Sequence, residues 1–188
     1  MAQRTLTLGA LCLGGLLLWL LLKPAATGYE RTRVDYPIPA VELRNQHDQP
    51  VALVPYLLGA QPVMLEFSYT SCTTLCTVMA VKFSNLQRRA GAEKGVKLVS
   101  ISIDPQVDTP AVLAAYLKRY QAGSGWDYLT GSLTDTQKLM QVFGVSPTDM
   151  LTNKATLFLH QPGDSAWTRL DGRLDPQDLL REYQQLNH

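Results

Sequence analysis

Two cysteines, Cys72 and Cys76, stand between a predicted strand and a predicted helix, and this arrangement limits the fold more than any other feature of the chain. The predicted strand 63–69 precedes them, and apolar residues then recur every three or four positions up to Gly91, as in an amphipathic helix. A helix N-terminus carries partial positive charge and unpaired N–H groups, which favour a thiolate over a thiol. The pair is therefore predicted either to exchange disulfides or to hold a soft metal ion such as Cu(I).

A single acidic residue, Glu66, lies in the middle of the apolar strand 63–69, six residues before Cys72. An ionised carboxylate is costly to bury, so burial would raise the pKa of Glu66 and make it a candidate proton acceptor for Cys76. The alternative is a solvated Glu66 at an open sheet edge. Its place resembles that of the buried acid in thioredoxins, which stands at the same interval from the redox cysteine.

The N-terminal part of the 188-residue chain differs from the rest, because residues 5–22 are eighteen consecutive uncharged and mostly apolar residues. We predict that 1–23 is a transmembrane anchor, with a cleaved signal peptide as the alternative. Cys12 within it is interpreted as a membrane-buried thiol. Too few residues precede the apolar run for a mitochondrial transit peptide, so the expected location is a bacterial inner membrane with the soluble domain in the periplasm.

The rest of the chain has the composition of one globular domain. The whole sequence is 46% apolar and 18% charged, with a net charge of +1, which gives no electrostatic case for nucleic-acid binding. Proline-containing residues 24–40 are predicted to be a tether, and 41–188 the folded domain. This domain has two cysteines, an even number, as is expected of a protein whose thiols pair as disulfides in an oxidising compartment.

The predicted elements of residues 41–188 alternate between strands and helices. Short strands are expected at 41–44 and 51–54, a continuous β-branched strand at 96–103, and a hairpin from 155–160 and 166–170. Helices are expected after Thr109, after a capping box of Thr134 and Gln137, and after Asp175. Asp104 and Asp108 are interpreted mainly as loop and cap residues of the helix after Thr109. This order is typical of a thioredoxin-like α/β sandwich with its chemistry at the strand-to-helix step.

Several separated segments resemble the Sco/SenC family in the same order. These are FSYTSCTTLC at 67–76, VSISIDP at 99–105, DTP at 108–110, WDYLTG at 126–131 and WTRLDG at 167–172. The resemblance covers about residues 40–186. It implies a membrane-tethered, thioredoxin-fold copper chaperone for the binuclear copper centre of cytochrome oxidase. Its expected partner is the copper-bearing oxidase subunit or another periplasmic thiol protein.

The resemblance also implies a ligand set, and this sequence departs from it. Family members bind copper through two cysteines, which map onto Cys72 and Cys76, and through a histidine in a late loop. Asn153 stands where that histidine is expected, and a carboxamide is a poor ligand for copper beside imidazole. Two thiolates alone still suit Cu(I), so copper delivery remains one hypothesis and thiol-disulfide exchange without copper is the alternative. In exchange, Cys72 would attack and Cys76 would resolve the mixed disulfide.

Other donors are interpreted as structural. Met79 belongs to the apolar stripe of its helix, Met150 is a more open candidate, and His160 and His47 are expected on the surface. Zinc is disfavoured because the chain has too few cysteines and spaced histidines for four ligands. A peroxidase of the same fold is disfavoured because the peroxiredoxin cysteine context is absent.

Overall fold

The computed structural model describes residues 28–90, 95–148 and 155–187. Eight strands and five helices alternate within these ranges. The strands are β1 (Tyr29–Val34), β2 (Glu42–Arg44), β3 (Pro50–Ala52), β4 (Val63–Ser68), β5 (Lys97–Ser102), β6 (Trp126–Leu129), β7 (Ala155–His160) and β8 (Trp167–Gly172). The helices are α1 (Leu53–Leu57), α2 (Leu75–Ala90), α3 (Pro110–Arg119), α4 (Leu133–Phe143) and α5 (Pro176–Leu186).

Six strands form one mixed sheet in the order β1-β8-β7-β4-β5-β6. Strands β4, β5 and β6 are parallel, whereas β7 pairs antiparallel with β4 and β8, and β8 with β1. The hairpin of β2 and β3 joins the edge at β6, because Arg44 and Thr130 exchange two backbone hydrogen bonds of 2.7 and 2.8 Å. The outer edge of β6 is therefore partly covered, as sheet edges commonly are.

Helices cover both faces of the sheet, and each face has its own apolar core. On one face, α2, α3 and α5 contribute residues such as Phe83, Tyr116 and Tyr183. On the other face, α1, α4 and the β2–β3 hairpin contribute residues such as Leu57 and Phe143. This arrangement of helices on two faces of a sheet confirms the α/β sandwich expected from the sequence.

Strand β4 is buried at every position because it lies inside the sheet with a core on either side. Its side chains alternate between the two cores: Leu65 and Phe67 face α4, whereas Met64 faces α2. By the same alternation Glu66 points to the α2 side. The apolar pattern predicts that this segment is a strand, whereas its place inside the sheet decides the environment of Glu66.

The N-terminal boundary differs from the prediction of a tether over 24–40. Residues 29–34 form β1, which pairs with β8 from Tyr29–Gly172 to Val34–Trp167. The pairing connects segments about 140 positions apart, so no local pattern could indicate it. Residues 1–27, where we predicted the anchor, lie outside the described residues. Within the described ranges, no helix is both long and apolar enough to cross a membrane.

Two further local predictions need correction. Helix α4 begins at Leu133 after Ser132, whose hydroxyl accepts a hydrogen bond from the N–H of Asp135. The predicted cap, Thr134 with Gln137, is therefore wrong, because the helix begins before it. The short helix α1 was not predicted, since the segment after β3 continues the apolar pattern of a strand. In contrast, Thr109 caps α3 with Pro110 at its first position, as predicted.

Candidate functional site

The site lies where the parallel strands β4 and β5 end together. Their register pairs Ser68 with Ser102, so the loop 69–74 after β4 and the loop 103–109 after β5 leave the sheet side by side. In open α/β sheets this carboxyl edge is where ligands and chemistry are usually found. The first of the two loops carries Cys72 into the start of α2, and Cys76 lies in the first turn of that helix.

The sulfur of Cys72 lies at the N-terminus of α2. The backbone N–H of Cys76 donates a hydrogen bond to Cys72 Sγ at 3.4 Å, and Thr74 Oγ1 lies 3.9 Å from the same sulfur. The N–H of Cys72 in turn donates to the carbonyl of Tyr69 at 3.3 Å. Because the N–H groups of a first helical turn have no partner inside the helix, a sulfur in this place satisfies one of them.

The two thiols differ in acidity. Burial raises the pKa of Cys72, but hydrogen bonds from Cys76 and Thr74 outweigh burial and hold that pKa below its usual value. Burial raises the pKa of Cys76, and its hydrogen bond to Cys72 raises it further. A more acidic Cys72 thiol beside a less acidic Cys76 thiol is the arrangement expected of an attacking and a resolving cysteine.

Both thiols are reduced and largely covered. Cys72 is 6% exposed and Cys76 4% exposed, and neither forms a disulfide. The neighbours Ser71 and Thr73 are exposed, so Cys72 lies just beneath the surface of its loop. Cys72 therefore has only a small accessible area.

Glu66 is buried, which resolves the alternative left open by the sequence. It is 4% exposed and accepts a hydrogen bond of 2.9 Å from Ser100, its neighbour on β5. Burial raises the pKa of Glu66 to about 8, against the lowering effect of the Ser100 hydroxyl, and the nearby Cys72 adds to the rise. Trp126 donates to the same hydroxyl at 3.0 Å and fixes its orientation.

A cavity of about 30 Å³ lies between Glu66 and Cys76. That volume is large enough to hold a water molecule. Met79 and Thr156 also line it, with Arg169 from β8. Met79 is buried in the α2 core, as its place in the apolar stripe predicted. Glu66 and Cys76 thus line the same small cavity.

Asp108 does not cap α3, contrary to the expectation from the sequence. The cap is Thr109, and the fully buried Asp108 instead accepts hydrogen bonds from Thr70 and Ser102. Its carboxylate thus joins the two loops that form the site.

The described histidines lie away from the cysteines, toward the opposite ends of the sheet strands. His160 pairs with Val63 at the start of β4, about 17 Å of strand away from the cysteine end. The prediction that it lies on the surface is wrong: it is 2% exposed, its Nε2 lies 3.1 Å from the carbonyl of Asp164, and its ring packs on Trp167. His47 lies in the turn between β2 and β3, where its N–H donates to Asn45.

The described residues supply two sulfur ligands at the site and no larger ligand cluster. Within the ranges 28–90, 95–148 and 155–187, no group of three or more histidine, cysteine or acidic side chains is placed to hold a metal ion. Met150 and Asn153 lie outside the described residues. The pair of thiols therefore suits an ion that accepts few soft ligands, such as Cu(I), better than zinc.

Comparison with known proteins assigns the family. The SCO1/SenC family model matches residues 39–187, nearly the whole of the described domain. The chain belongs to the SCO1/SenC family. It is 30% identical over 100 residues to the SCO1 protein homolog of Bacillus subtilis (strain 168), covering 52% of this chain and 51% of that protein. It is 30% identical over 139 residues to a Stutzerimonas stutzeri protein named for copper binding, covering 73% and 66%. The chain thus spans about half the length of the first relative.

Solved Sco structures share the fold. A SCO1/SenC family lipoprotein from Bacillus anthracis matches with a TM-score of 0.67 at 24% identity, over 84% of this chain and 98% of that one. BsSco, a cytochrome c oxidase assembly family member described with a disulfide switch, gives 0.66 at 23%, over 83% and 96%. Bradyrhizobium japonicum ScoI with copper bound gives 0.58 at 20%, over 77% and 96%. These matches confirm the thioredoxin-like Sco fold predicted from the motifs.

Three residues that organise the site were not predicted from the sequence, and Asp108 was predicted only as a loop and cap residue. Ser100 and Trp126 orient Glu66, and Thr70 and Asp108 join the two loops. One signal was present: Ser100 and Ser102 alternate with Val99 and Ile101 in a strand that is buried after its first residue, which indicates polar partners on one face.

Replacing Glu66 by glutamine tests its burial. A carboxyl whose folded pKa is raised above its unfolded value favours folding below the unfolded pKa, and that advantage is lost as the pH rises to the folded pKa. For Glu66 the window runs from 4.5 to about 8. We expect the stability of Glu66→Gln relative to the wild type to rise across this window, by about 3 to 4 kcal/mol between pH 5 and pH 8. Urea unfolding at pH 5 and pH 8 measures the difference.

Glu42→Gln is the control for this experiment, since Glu42 is exposed on β2. It should give the same difference from the wild type at both pH values. A Glu66→Gln variant whose stability relative to the wild type does not change with pH would show that the carboxyl is not held protonated by burial.

Proposed function

We propose that this protein is a Sco-type copper chaperone that holds Cu(I) between Cys72 and Cys76 for assembly of the copper centre of cytochrome oxidase. The observation that carries the proposal is the pair of reduced thiols at one helix N-terminus, one of them with a lowered pKa. Family membership, the copper-bound ScoI relative and the relative named for copper binding support it.

The donor set fits Cu(I) as a cargo. Thiolates are soft ligands, and Cu(I) is satisfied by two of them, so the missing histidine is no obstacle to the reduced ion. Release to a partner also needs weak retention, and a site with two sulfur ligands near the surface is suited to transfer. Oxidation of the pair to a disulfide would remove both ligands, so the redox state of the pair would decide whether copper is held.

The proposed setting is a bacterial inner membrane, with residues 1–23 as anchor and the folded domain in the periplasm. The Bacillus anthracis relative is described as a lipoprotein, which supports a membrane-associated family, and BsSco is described as a cytochrome c oxidase assembly family member. The proposed partner is the copper-bearing subunit of the oxidase, or another periplasmic thiol protein that receives electrons from the pair.

The second candidate function is thiol-disulfide exchange without copper, and the inequality of the two thiol pKa values favours it. The Cys72 thiolate attacks one sulfur of a partner disulfide, forms a mixed disulfide and releases the other partner sulfur as a thiolate. Cys76 then passes its proton to the Glu66 carboxylate, attacks Cys72 Sγ and releases the second partner thiolate. The partner gains two electrons, and the protein ends with a Cys72–Cys76 disulfide.

Glu66 sets a pH dependence on the second step. With a pKa of about 8, Glu66 is a carboxylate in about a tenth of the molecules at pH 7. Removal of the Cys76 proton should therefore accelerate as the pH approaches 8, because more of the acceptor is available.

Copper delivery predicts that the reduced full-length protein in detergent retains about one equivalent of Cu(I) against a chelator of moderate affinity. Cys72→Ser should lose this copper, because one of two ligands is removed. Cys12→Ser is the matched control, since it removes a cysteine far from the pair in the sequence, and it should keep the metal. Loss of Cu(I) from the wild type to the chelator would end this hypothesis.

Exchange predicts a trapped intermediate. Cys76→Ser removes the resolving thiol, so a cysteine-containing oxidase peptide supplied as its disulfide should remain attached to Cys72, and mass spectrometry should detect the adduct. The wild type should release the reduced peptide instead. Failure of Cys76→Ser to accumulate the adduct would count against exchange, whatever the copper result.

Replacing Asn153 by histidine tests how much an imidazole at this position contributes to copper binding. Asn153→His restores the imidazole that the family pattern expects, two positions before Ala155, which lines the cavity beside Cys76. Imidazole suits Cu(II) more than it suits Cu(I), so we expect Cu(II) affinity to rise at least about tenfold with a smaller change for Cu(I). Asn153→Ala should leave Cu(II) binding as in the wild type. An unchanged Cu(II) affinity in Asn153→His would mean that residue 153 does not reach the metal.

A further inference from the structure

The first residue of β1 lies at the same edge of the sheet as the cysteines. Tyr29 pairs with Gly172, and Gly172 pairs with Ala155, the first residue of β7. Strand β7 runs antiparallel to β4, so Ala155 lies at the end of β4 that leads to the cysteines, and it lines the cavity beside Cys76. Strand β1 is three strands away from β4, which corresponds to about 14 Å across the sheet. The chain therefore enters the folded domain beside the thiol pair.

This entry point is fixed on the domain. The Tyr29 hydroxyl donates to the carboxylate of Glu182 on α5 at 2.5 Å, and Arg31 donates to the same carboxylate at 2.6 Å. The carbonyl of Gly28 accepts the N–H of Arg173 at 2.9 Å. Glu182 is buried, so separating β1 from α5 would leave a buried carboxylate without its donors, which is costly. The start of β1 thus keeps its place beside the cysteine edge.

A short linker, residues 23–28, separates this entry point from the apolar run 5–22. Six residues reach at most about 22 Å when fully extended. Crossing the lipid headgroups uses roughly 5 to 8 Å of that length. A domain with its cysteine edge turned away from the bilayer would place the whole of α2, which is about 24 Å long, between that edge and the lipid. The linker is too short for that arrangement.

Exposed apolar side chains collect at the same edge. Val107 lies on the loop after β5, and Val78, Val112 and Leu133 lie in the first turns of α2, α3 and α4. These are four of the six large apolar side chains that are exposed among the described residues. We call the loops 69–74 and 103–109, with these three first turns, the cysteine face.

The cysteine face is suited to a protein surface rather than to lipid. Its two loops contain two charged residues, Asp104 and the buried Asp108, and no lysine or arginine. Apolar contacts with few charges are typical of the centre of a protein interface. Binding to a bilayer surface instead uses tryptophan, phenylalanine or leucine together with lysine and arginine. The exposed large apolar side chains of the face are three valines and one leucine.

Basic side chains lie at the opposite edge, in the last turns of α2 and α3. They are Arg88, Arg89, Lys118 and Arg119. An anionic bilayer would attract that edge. An orientation set by surface charge would therefore be the reverse of one set by the linker, which makes the two causes separable by experiment.

We propose that the linker holds the cysteine face toward the bilayer, and that this face docks an apolar surface that a membrane protein presents close to the lipid headgroups. The inference rests on the proposed anchor at residues 1–23. It deepens the proposed function by naming the docking face and the height above the membrane at which the partner presents its reactive group. A soluble partner that approaches from bulk solvent would meet the opposite edge first.

The orientation is measured by coupling of a single cysteine to a lipid that carries a maleimide headgroup. The full-length protein without its own thiols (Cys12→Ser, Cys72→Ser, Cys76→Ser) is placed in phosphatidylcholine vesicles with Val107→Cys or Leu58→Cys. Leu58 is the matched control, because it is exposed to a similar extent, 42% against 49%, and lies before β4 at the opposite edge. We expect Val107→Cys to couple about tenfold faster, since its effective concentration near the lipid is higher.

Two further reagents and one further lipid complete this comparison. A bulky polymer-linked maleimide added from solution should react faster with Leu58→Cys, because the bilayer shields the cysteine face. A small soluble maleimide should react with both positions at similar rates. Phosphatidylglycerol added to the vesicles should leave the order unchanged, whereas an orientation set by surface charge would reverse it.

Lengthening the linker tests the cause of the orientation. An insert of about twelve glycine and serine residues between Thr27 and Gly28 adds up to about 40 Å of reach. The two positions should then couple to the lipid at similar rates. The same insert placed after His188 is the control and should keep the original order. A preference for Val107→Cys that survives the longer linker would mean that the face binds lipid itself, and would overturn the proposal.

Docking is measured in vesicles that also hold the copper-bearing oxidase subunit. Val107→Asp introduces a charge into the cysteine face and should weaken binding of the subunit about tenfold. Leu58→Asp introduces the same charge at the opposite edge and should bind as the wild type does. Equal binding by the two variants, or no binding by the wild type, would overturn the docking face.

The orientation also fails if Leu58→Cys couples as fast as Val107→Cys, or if the full-length protein does not stay with the vesicles. Urea unfolding of each variant checks the fold. If the protein without its own thiols does not fold, a genetically encoded fluorophore at position 107 or 58 of the otherwise unchanged chain gives the same comparison by energy transfer to a dye-labelled lipid. The coupling experiments use neither copper nor the native thiols, so their failure leaves the copper and exchange hypotheses standing, and failure of those leaves the orientation intact.

Discussion

The parallel pairing of β4 with β5 is the constraint on which the site depends. Because Ser68 lies beside Ser102, the loop that carries the cysteines and the loop that carries Asp108 leave the sheet at one edge. The same pairing places Glu66 beside Ser100, two residues before the ends of the strands. A slip of one residue in this register would turn Glu66 toward the other core and separate the two loops. The proximity of the two loops at the site is therefore a consequence of strand register.

Two buried acids, Glu66 and Asp108, belong to the strand and loop that build the cysteine site, and each is stabilised in a different way. Glu66 has one hydroxyl donor and an apolar environment, so burial raises its pKa to about 8 and favours the neutral acid. Asp108 has three donor groups from two residues, which is the usual way to satisfy a buried carboxylate. The first arrangement suits a group that exchanges a proton, and the second suits a group that holds a loop.

The thiol pair combines features that serve either proposed activity. A lowered pKa at Cys72 makes both a better nucleophile and a better Cu(I) ligand, since the thiolate is the reactive form in each case. The described histidines lie at the far edge of the sheet, so neither belongs to the cysteine site. The two sulfur ligands thus favour Cu(I) over Cu(II). They are compatible both with copper delivery and with thiol-disulfide exchange, and the partner protein decides between these activities.

The sequence by itself determined most of the elements, though not β1, β6 or α1. It also determined the family, the cysteine pair at a helix N-terminus and the core position of Met79, because each of these follows from local spacing of residue types. It also indicated that Glu66 lies in a strand, although burial was decided only by the pairing of β4 with β5 and by the packing of α2. Strand β1, the buried His160 and the true role of Asp108 depend on contacts between distant segments, as with Tyr29 against Gly172 and Thr70 against Asp108. Local periodicity carries no record of such pairings, because they are fixed by the register of the whole sheet.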